Sequence, residues 1–410
     1  MTGTTPNWPT PTRDAAEAHL AQVLPRLGTS YAHRRNVDHG PGHHGDVSRL
    51  SPYLRRRLLT EPGLIAAVLA EHGAENARTY LQEVLWRSYF KGWLERRPQV
   101  WRAYRDGLDG DMMRMETDAG LRRAVTRAET GKTRLDCMNA WARELVETGY
   151  LHNHARMWFA SIWIFTLRLP WRLGADFFYR HLLDGDPASN TLSWRWVAGL
   201  HTRGKFYAAE ACNITRYTDG RFSPDASDLA EVRHGLEAEE PDGLPDLQPL
   251  RAPAVPDPDA PTVLLITEED CRPDDFPLGS LDIRATATLA ASRLRSPRIV
   301  AEKVTEFEAA ALADTAQRIT ARADNLQAGD PSGLLGWAAD HGATQIVTPY
   351  IPRGPLHDWL TSARPALGAA GITLREWRRD WDTLVWPHAT AGYFKVSKKL
   401  PDLLHRAGLS

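Results

Sequence analysis

The stretch Leu169–Gly199, LPWRLGADFFYRHLLDGDPASNTLSWRWVAG, decides how the chain reads. Asp184 and Asp186 frame Gly185, and a DGD turn ahead of a helix is a common capping arrangement. Asn190, Trp194 and Val197 follow at helical spacing. Capping alone accounts for the two carboxylates. Packing is a poorer account of Asn190, Trp194 and Trp196 together.

Upstream lies TGYLHNHARMWFASIWIF, which places Asn153, Arg156, Met157 and Ala160 on one helical face and points Trp158 and Trp163 elsewhere. An asparagine and an arginine in so apolar a helix are costly to bury without partners. A polar ligand, a buried network or a surface-facing stripe each satisfies them. Further upstream, LQEVLWRSYF puts Glu83, Trp86 and Arg87 on one face. That face is a polar, stacking-capable wall for a ligand, or an amphipathic helix with a Glu–Arg surface pair. In HGPGHHGDVSRLSPYL, from His39 to Leu54, a glycine-rich loop runs toward Ser51 as N-cap and Pro52 in the first turn. Free N–H groups there suit a phosphate, although an ordinary capped helix reads the same way. His39, His43 and His44, with Asp38 and Asp46, follow no regular ligand spacing, so no metal is expected.

The wider chain frames these segments. Apolar residues recur at helical spacing in Leu54–Leu69, Thr79–Leu94, Met138–Val146 and His152–Leu169, so Thr12 to Glu240 reads as helical. Residues 241–261 are proline-rich and acidic, a linker. Residues 262–410 alternate strand candidates (Thr262–Thr267, Arg298–Ala301, Gln345–Thr348, Thr373–Glu376) with helical stretches, which implies a parallel α/β sheet. The expected architecture is a helical domain over 1–240 followed by a Rossmann-like α/β domain.

Composition narrows the function classes. The chain has 410 residues, 42% of them hydrophobic and a quarter charged, ordinary for a globular protein. No apolar run is long enough for a membrane span, and the N-terminus lacks a signal-peptide pattern, so cytoplasmic residence is expected. Cys137, Cys212 and Cys271 are too widely spaced for a paired zinc site or a four-cysteine cluster. A net charge of −1 means that nucleic-acid binding would need a local basic patch, for which Arg34, Arg35, Arg195, Arg203 and Lys205 are candidates. Of the 15 tryptophans, nine fall between Trp86 and Trp196, as core filling, stacking platforms or electron relays.

Taken in this order, the segments from about Tyr31 to Phe222 resemble the FAD-binding domain of DNA photolyases and cryptochromes, above all in HNxARM followed by LDGDxASNxxxWxW. The resemblance implies that Tyr31, Val47, Ser48, Leu50 and Ser51 cradle the FAD phosphates, with valine replacing the family's threonine at Val47. It implies flavin-site roles for Arg87, Asn153, Arg156, Asp184, Asp186 and Asn190, with Arg156 paired to Asp184 and Asn190 facing flavin N5. Glu83 would hold the damaged base, Trp86 and Trp196 would stack on it, and Met157 would line the pocket.

Trp194 and Trp171 match the inner two rings of the family's photoreduction relay. No tryptophan lies between Asp106 and Thr133, where the outermost belongs, so Trp101, Trp158 or Trp163 would have to supply the exit. Asn153 and Met157 favour cyclobutane pyrimidine dimers over (6-4) photoproducts. The segment after Gly199 departs from the family, CNITRYT keeping only Asn213.

Residues 262–400 resemble the family's antenna domain, most visibly in GATQIVTPYIPRGPLHDWLTSARPALGAAGITLREW and TAGYFKVSKKLPDLL. The expected order is therefore circularly permuted. The family's folate-contacting glutamate has no counterpart in Tyr350–Arg353, which leaves the second chromophore unknown. The implied function is blue-light-driven splitting of pyrimidine dimers in UV-damaged DNA by a monomeric flavoprotein. The alternative is a cryptochrome-like sensor that photoreduces FAD without repair, with a protein partner.

Overall fold

The computed structural model describes residues 8–409: the first half is helical, and the second carries one parallel sheet. Five helices position the site. They are α1 (Ser51–Arg55), α2 (Glu61–Glu95), α3 (Asn153–Ser161), α4 (Trp171–His181) and α5 (Pro187–Val197). Thr60 caps α2 by accepting the Gly63 N–H, and the helix breaks at Gly73, whose φ of 70° suits only glycine comfortably. Its last turns bury Leu81, Val84, Leu85, Tyr89 and Trp93. Gly92 allows Trp386 to close in, since a Cβ there would meet the Trp386 Cα at 2.8 Å. The core of this half is aromatic: Trp93, Trp141, Trp158, Trp163 and Trp171 are all fully buried.

The sheet contains β1 (Thr262–Thr267), β2 (Ile283–Ala290), β3 (Asp324–Gln327), β4 (Gln345–Pro349) and β5 (Thr373–Trp377) in the order β3-β2-β1-β4-β5, all pairs parallel. Every residue of β1, TVLLIT, is buried, as expected of a central parallel strand covered on both faces. β1, β4 and β5 fall where the sequence pattern puts strands. Arg298–Ala301 is not a strand: it is irregular, Arg298 tied to Glu129 and the Ala301 N–H to the Arg180 carbonyl. The pattern overlooked β2 and β3, whose IRATATLA and DNLQ carry small and polar residues instead of an apolar run.

Residues 381–409 return to the helical half. Trp381, Val385, Trp386, Tyr393, Val396 and Leu403 share the core of the first half and not that of the sheet. The Trp381 indole N–H donates to the Ser88 hydroxyl on α2 at 2.8 Å.

Candidate functional site

Asp184 and Asp186 sit on the turn between α4 and α5. Asp186 caps α5, accepting the Ser189 N–H at 2.9 Å. Asp184 Oδ2 accepts the Arg156 guanidinium at 2.8 Å and the Ser51 hydroxyl at 2.5 Å. Burial opposes ionisation of Asp184, but Arg156 and Ser51 outweigh it and hold the carboxyl below its ordinary value. Asp186 is also depressed: burial is outweighed by Lys91, Arg87 and Arg55. Asp184 Oδ1 is buried without a hydrogen-bond partner, whereas Asp186 Oδ2 faces the buried Lys91 ammonium at 3.3 Å. An unpaired buried carboxylate oxygen calls for a further donor.

Ser51 is not the N-cap expected from the sequence. Leu50 occupies that position and offers no side-chain cap, while Ser51 opens α1 and spends its hydroxyl on Asp184. Leu50 itself is fully buried. Ser48 lies next to it, its hydroxyl accepting the Leu50 N–H at 3.4 Å. Val47 is half-buried beside Ser48. Tyr31 meets Tyr80 edge-to-face at 5.0 Å, which brings the loop region against α2. The loop histidines have partners of their own: His44 pairs with buried Glu144 at 2.8 Å and His39 with Asp46 at 3.0 Å.

On α2, Glu83 pairs with Arg35 at 2.6 Å and not with Arg87. Burial raises the Glu83 carboxyl, partly offset by Arg35. Arg87 reaches back to the Leu54 carbonyl at 3.1 Å and to Glu61 at 3.5 Å. Trp86 is half-buried, and its indole lies flat against Tyr393, ring centroids 3.6 Å apart and planes 10° from parallel. Trp196 stacks instead on Tyr207 at 5.7 Å, so the two indoles expected to flank a base have separate partners. On α3, Asn153 is exposed, while Arg156 and Met157 are half-buried.

Asn190 donates to the Ala175 carbonyl at 2.8 Å, tying α5 to α4. Trp194 packs edge-on to Phe178 at 5.1 Å and to Trp163 at 6.3 Å. Trp171 faces Tyr104 at 5.8 Å, and Tyr104 faces Trp101 at 5.4 Å. Trp101 donates its indole N–H to Asp358 at 2.7 Å, at a half-exposed spot. Trp158 and Trp163 are fully enclosed, Trp158 donating to Asn213 at 3.0 Å.

Sequence reasoning missed the largest electrostatic feature. The consecutive Arg55, Arg56 and Arg57 clasp the carboxyl end of β1. Arg55 grips Glu269 through two bonds at 2.7 and 3.0 Å, Arg56 meets Glu268 at 2.9 Å, and Arg57 meets Asp270 at 3.2 Å and Asp382 at 2.6 Å. The only signal in the sequence was the pairing of an RRR run with an EED run. The crevice beyond the strand ends at a topological switch point is where open α/β sheets hold ligands. Here, between β1 and β4, the helical half fills it, and Tyr350 and Arg353 beyond β4 both bond Glu95 of α2.

Four of the five residues expected to form a phosphate patch are engaged within the protein, while Lys205 is exposed. Arg34 pairs with Asp46, Arg35 with Glu83 and Arg195 with Glu240, and Arg203 is spent on the carbonyls of Glu237 and Glu240.

Residues 80–222 match the family model of the FAD-binding domain of DNA photolyase. Over that part, the chain is similar to the FAD-binding domain of DNA photolyase. A deoxyribodipyrimidine photo-lyase of Streptomyces griseus is 35% identical over 207 residues, covering 47% of this chain and 44% of the relative. One from Thermus thermophilus is 37% identical over 194 residues, with the same coverage of each. The chain thus spans less than half the length of these relatives. The crystal structure of a bacterial class III photolyase from Agrobacterium tumefaciens aligns with a TM-score of 0.41 and 24% identity, over 52% of this chain and 43% of that one. No helix among the described residues is long and apolar enough to cross a membrane.

Proposed function

We propose that this protein is a light-driven DNA-repair flavoprotein that splits cyclobutane pyrimidine dimers, holding FAD among α1, α3, α4 and α5. The observation that carries the reading is the Ser51–Asp184–Arg156 cluster, with the unpaired, buried Oδ1 of Asp184. That oxygen is an acceptor with no donor, which fits a hydroxyl or ring N–H of a flavin nucleotide. Arg156 would fix the Asp184 carboxylate, Asp186 would face the ribityl side, and Asn190 would present its amide to the ring. Tyr31, Val47, Ser48, Leu50 and Ser51 would border the phosphates. Bound and reduced, FAD supplies a photoexcited electron to the dimer, chemistry that belongs to the cofactor.

The chain's own residues then position the base. Glu83, its carboxyl raised by burial, would hydrogen-bond the dimer, Trp86 and Trp196 would stack on it, and Met157 would line the pocket. The dimer would have to leave the duplex to reach them. A light-sensing role is the second reading, and the stack of Tyr393 on Trp86 favours it, because the free protein has that face covered.

The deciding experiment is blue-light treatment of an oligonucleotide carrying one thymine dimer, with protein-bound flavin quantified and chemically reduced beforehand. Light-dependent loss of the dimer, absent in the dark, is the expected result. Intact dimer with fully loaded, reduced protein would overturn repair in favour of sensing.

A further inference from the structure

The geometry points to residues 389–399 as a strap that docks nucleic acid and surrenders its place on Trp86 to a base. The inference rests on the pocket reading above. On its inner side, Tyr393 lies flat on Trp86 at 3.6 Å, the spacing of stacked aromatic rings, and is almost wholly buried. A base on the same face would make the same kind of contact. Besides the buried Ala389 and Val396, the strap is held by three hydrogen bonds, each from a side chain to a main-chain carbonyl. Tyr89 donates to Ala391 at 2.8 Å, Arg97 to Thr390 at 3.0 Å, and Tyr393 to Gln82 at 2.6 Å. Such bonds exchange readily for water once the strap lifts.

The outer side is built differently. Phe394, next to the stacked tyrosine, is 76% exposed, among the most exposed large apolar residues described. Lys395, Lys398 and Lys399 surround it, exposed and without an ion pair among the described residues. His388 lies in the same field: partial burial first, then the charges of Lys399 and Arg406, lower its affinity for a proton. In a chain of net charge −1, whose other candidate arginines are internally paired, this is a concentrated unpaired positive surface. Lysines around an exposed aromatic ring match a strand that offers phosphates and a base together. Phosphates would draw on the lysines and a displaced base on Phe394, while Tyr393 gives up the Trp86 face to the base that enters.

The test is dark binding of a fluorescent oligonucleotide with one thymine dimer, and of its undamaged twin, across a range of salt. Replacing Lys395, Lys398 and Lys399 together by alanine should weaken both about 10-fold or more and flatten the salt dependence by about two to three units of slope. Tyr393→Ala should strengthen dimer binding about 3- to 10-fold, the range that corresponds to a lost aromatic stack, and leave the undamaged strand unchanged. Tyr393→Phe keeps the ring, drops the bond to Gln82 and should fall between, which guards against a misfolded alanine variant.

An unchanged salt slope in the lysine variant, or weaker dimer binding by both Tyr393 variants, would overturn the strap. Trp86→Ala separates the two readings. If it leaves the preference for dimer over undamaged strand intact, the base does not sit at Trp86 and the pocket reading fails, whatever the lysines do.

Discussion

Arg156 Nη2 lies 2.8 Å from Asp184 Oδ2, and the same oxygen accepts the Ser51 hydroxyl, so three segments far apart in sequence converge on one carboxylate. Asp184→Asn removes the charge that holds Arg156 and leaves a half-buried guanidinium without its partner. The expected loss is about 1–3 kcal/mol of stability, read by urea denaturation. Flavin retained through gel filtration should also fall, measured by its visible absorption. Full flavin content in a folded variant would remove Asp184 from the site.

The arginine clasp makes a second, independent prediction. Arg55 and Glu269 are both buried and joined by two bonds, so Glu269→Ala strands a guanidinium in the interior. Breaking a buried pair from one side costs about 3–5 kcal/mol, whereas replacing both partners with apolar groups of similar volume is often close to neutral. The double variant Arg55→Met/Glu269→Leu should therefore be more stable than Glu269→Ala alone. Denaturation midpoints in the opposite order would mean that the bonds to Asp186 and the Gly185 carbonyl dominate.

How much of this was legible in the sequence follows the distance between partners. The DGD turn was readable because Asp186 caps Ser189, three residues on. The pairing of Arg156 with Asp184 came only from resemblance, since 28 residues separate them. Arg57 bonds Asp270 and Asp382, 213 and 325 residues away, and no local pattern announces such contacts. Helical periodicity located α2 but could not say that Glu83 would choose Arg35 over Arg87, four residues along the same face. Nor could it send Tyr393, at the far end of the chain, onto Trp86.

Glu308 should make stability fall as pH rises. It accepts the backbone N–H groups of Ala291 and Ser292 and the Ser292 hydroxyl, yet burial and the charge of Glu268 push its carboxyl up to about 7 from an ordinary 4.5. The folded state thus holds this proton more tightly than the unfolded chain. Its contribution is complete below the unfolded value and is lost as pH climbs through the folded one. Between pH 4.5 and 7, the urea midpoint of the parent should decline relative to that of Glu308→Gln, which cannot ionise. Parallel profiles would show that Glu308 is ionised throughout.

Gly174 is where α4 admits Trp194. A Cβ at this position would lie 2.3 Å from the Trp194 ring and 2.9 Å from Trp163, in a fully packed neighbourhood. Gly174→Ala should therefore cost about 1–3 kcal/mol through overpacking, outweighing the gain in helix propensity of about 1 kcal/mol. Near-ultraviolet circular dichroism should change while the far-ultraviolet signal holds. A more stable variant with an unaltered aromatic spectrum would mean that the ring moves aside freely.

The last prediction concerns how electrons reach a bound flavin from solvent. Trp171 and Gly174 lie one turn apart on α4, and Trp194 packs on Gly174. From Trp171 the rings continue through Tyr104 at 5.8 Å to Trp101 at 5.4 Å. Trp101 then bonds Asp358 at the half-exposed edge. Trp158 and Trp163 are fully enclosed and open on no comparable path. Among the three tryptophans that could replace the absent outer ring, Trp101 is the one joined by rings to Trp171 and set at a half-exposed edge, whereas Trp163 touches Trp194 but is enclosed. Trp101→Phe should slow blue-light reduction of bound flavin by an external thiol at least several-fold, leaving flavin content and chemical reduction in the dark unaffected. Trp158→Phe should change the light-driven rate little. If the two variants behave in the reverse order, the electrons enter by way of α3 and Asn213, and the Tyr104 ladder is packing alone.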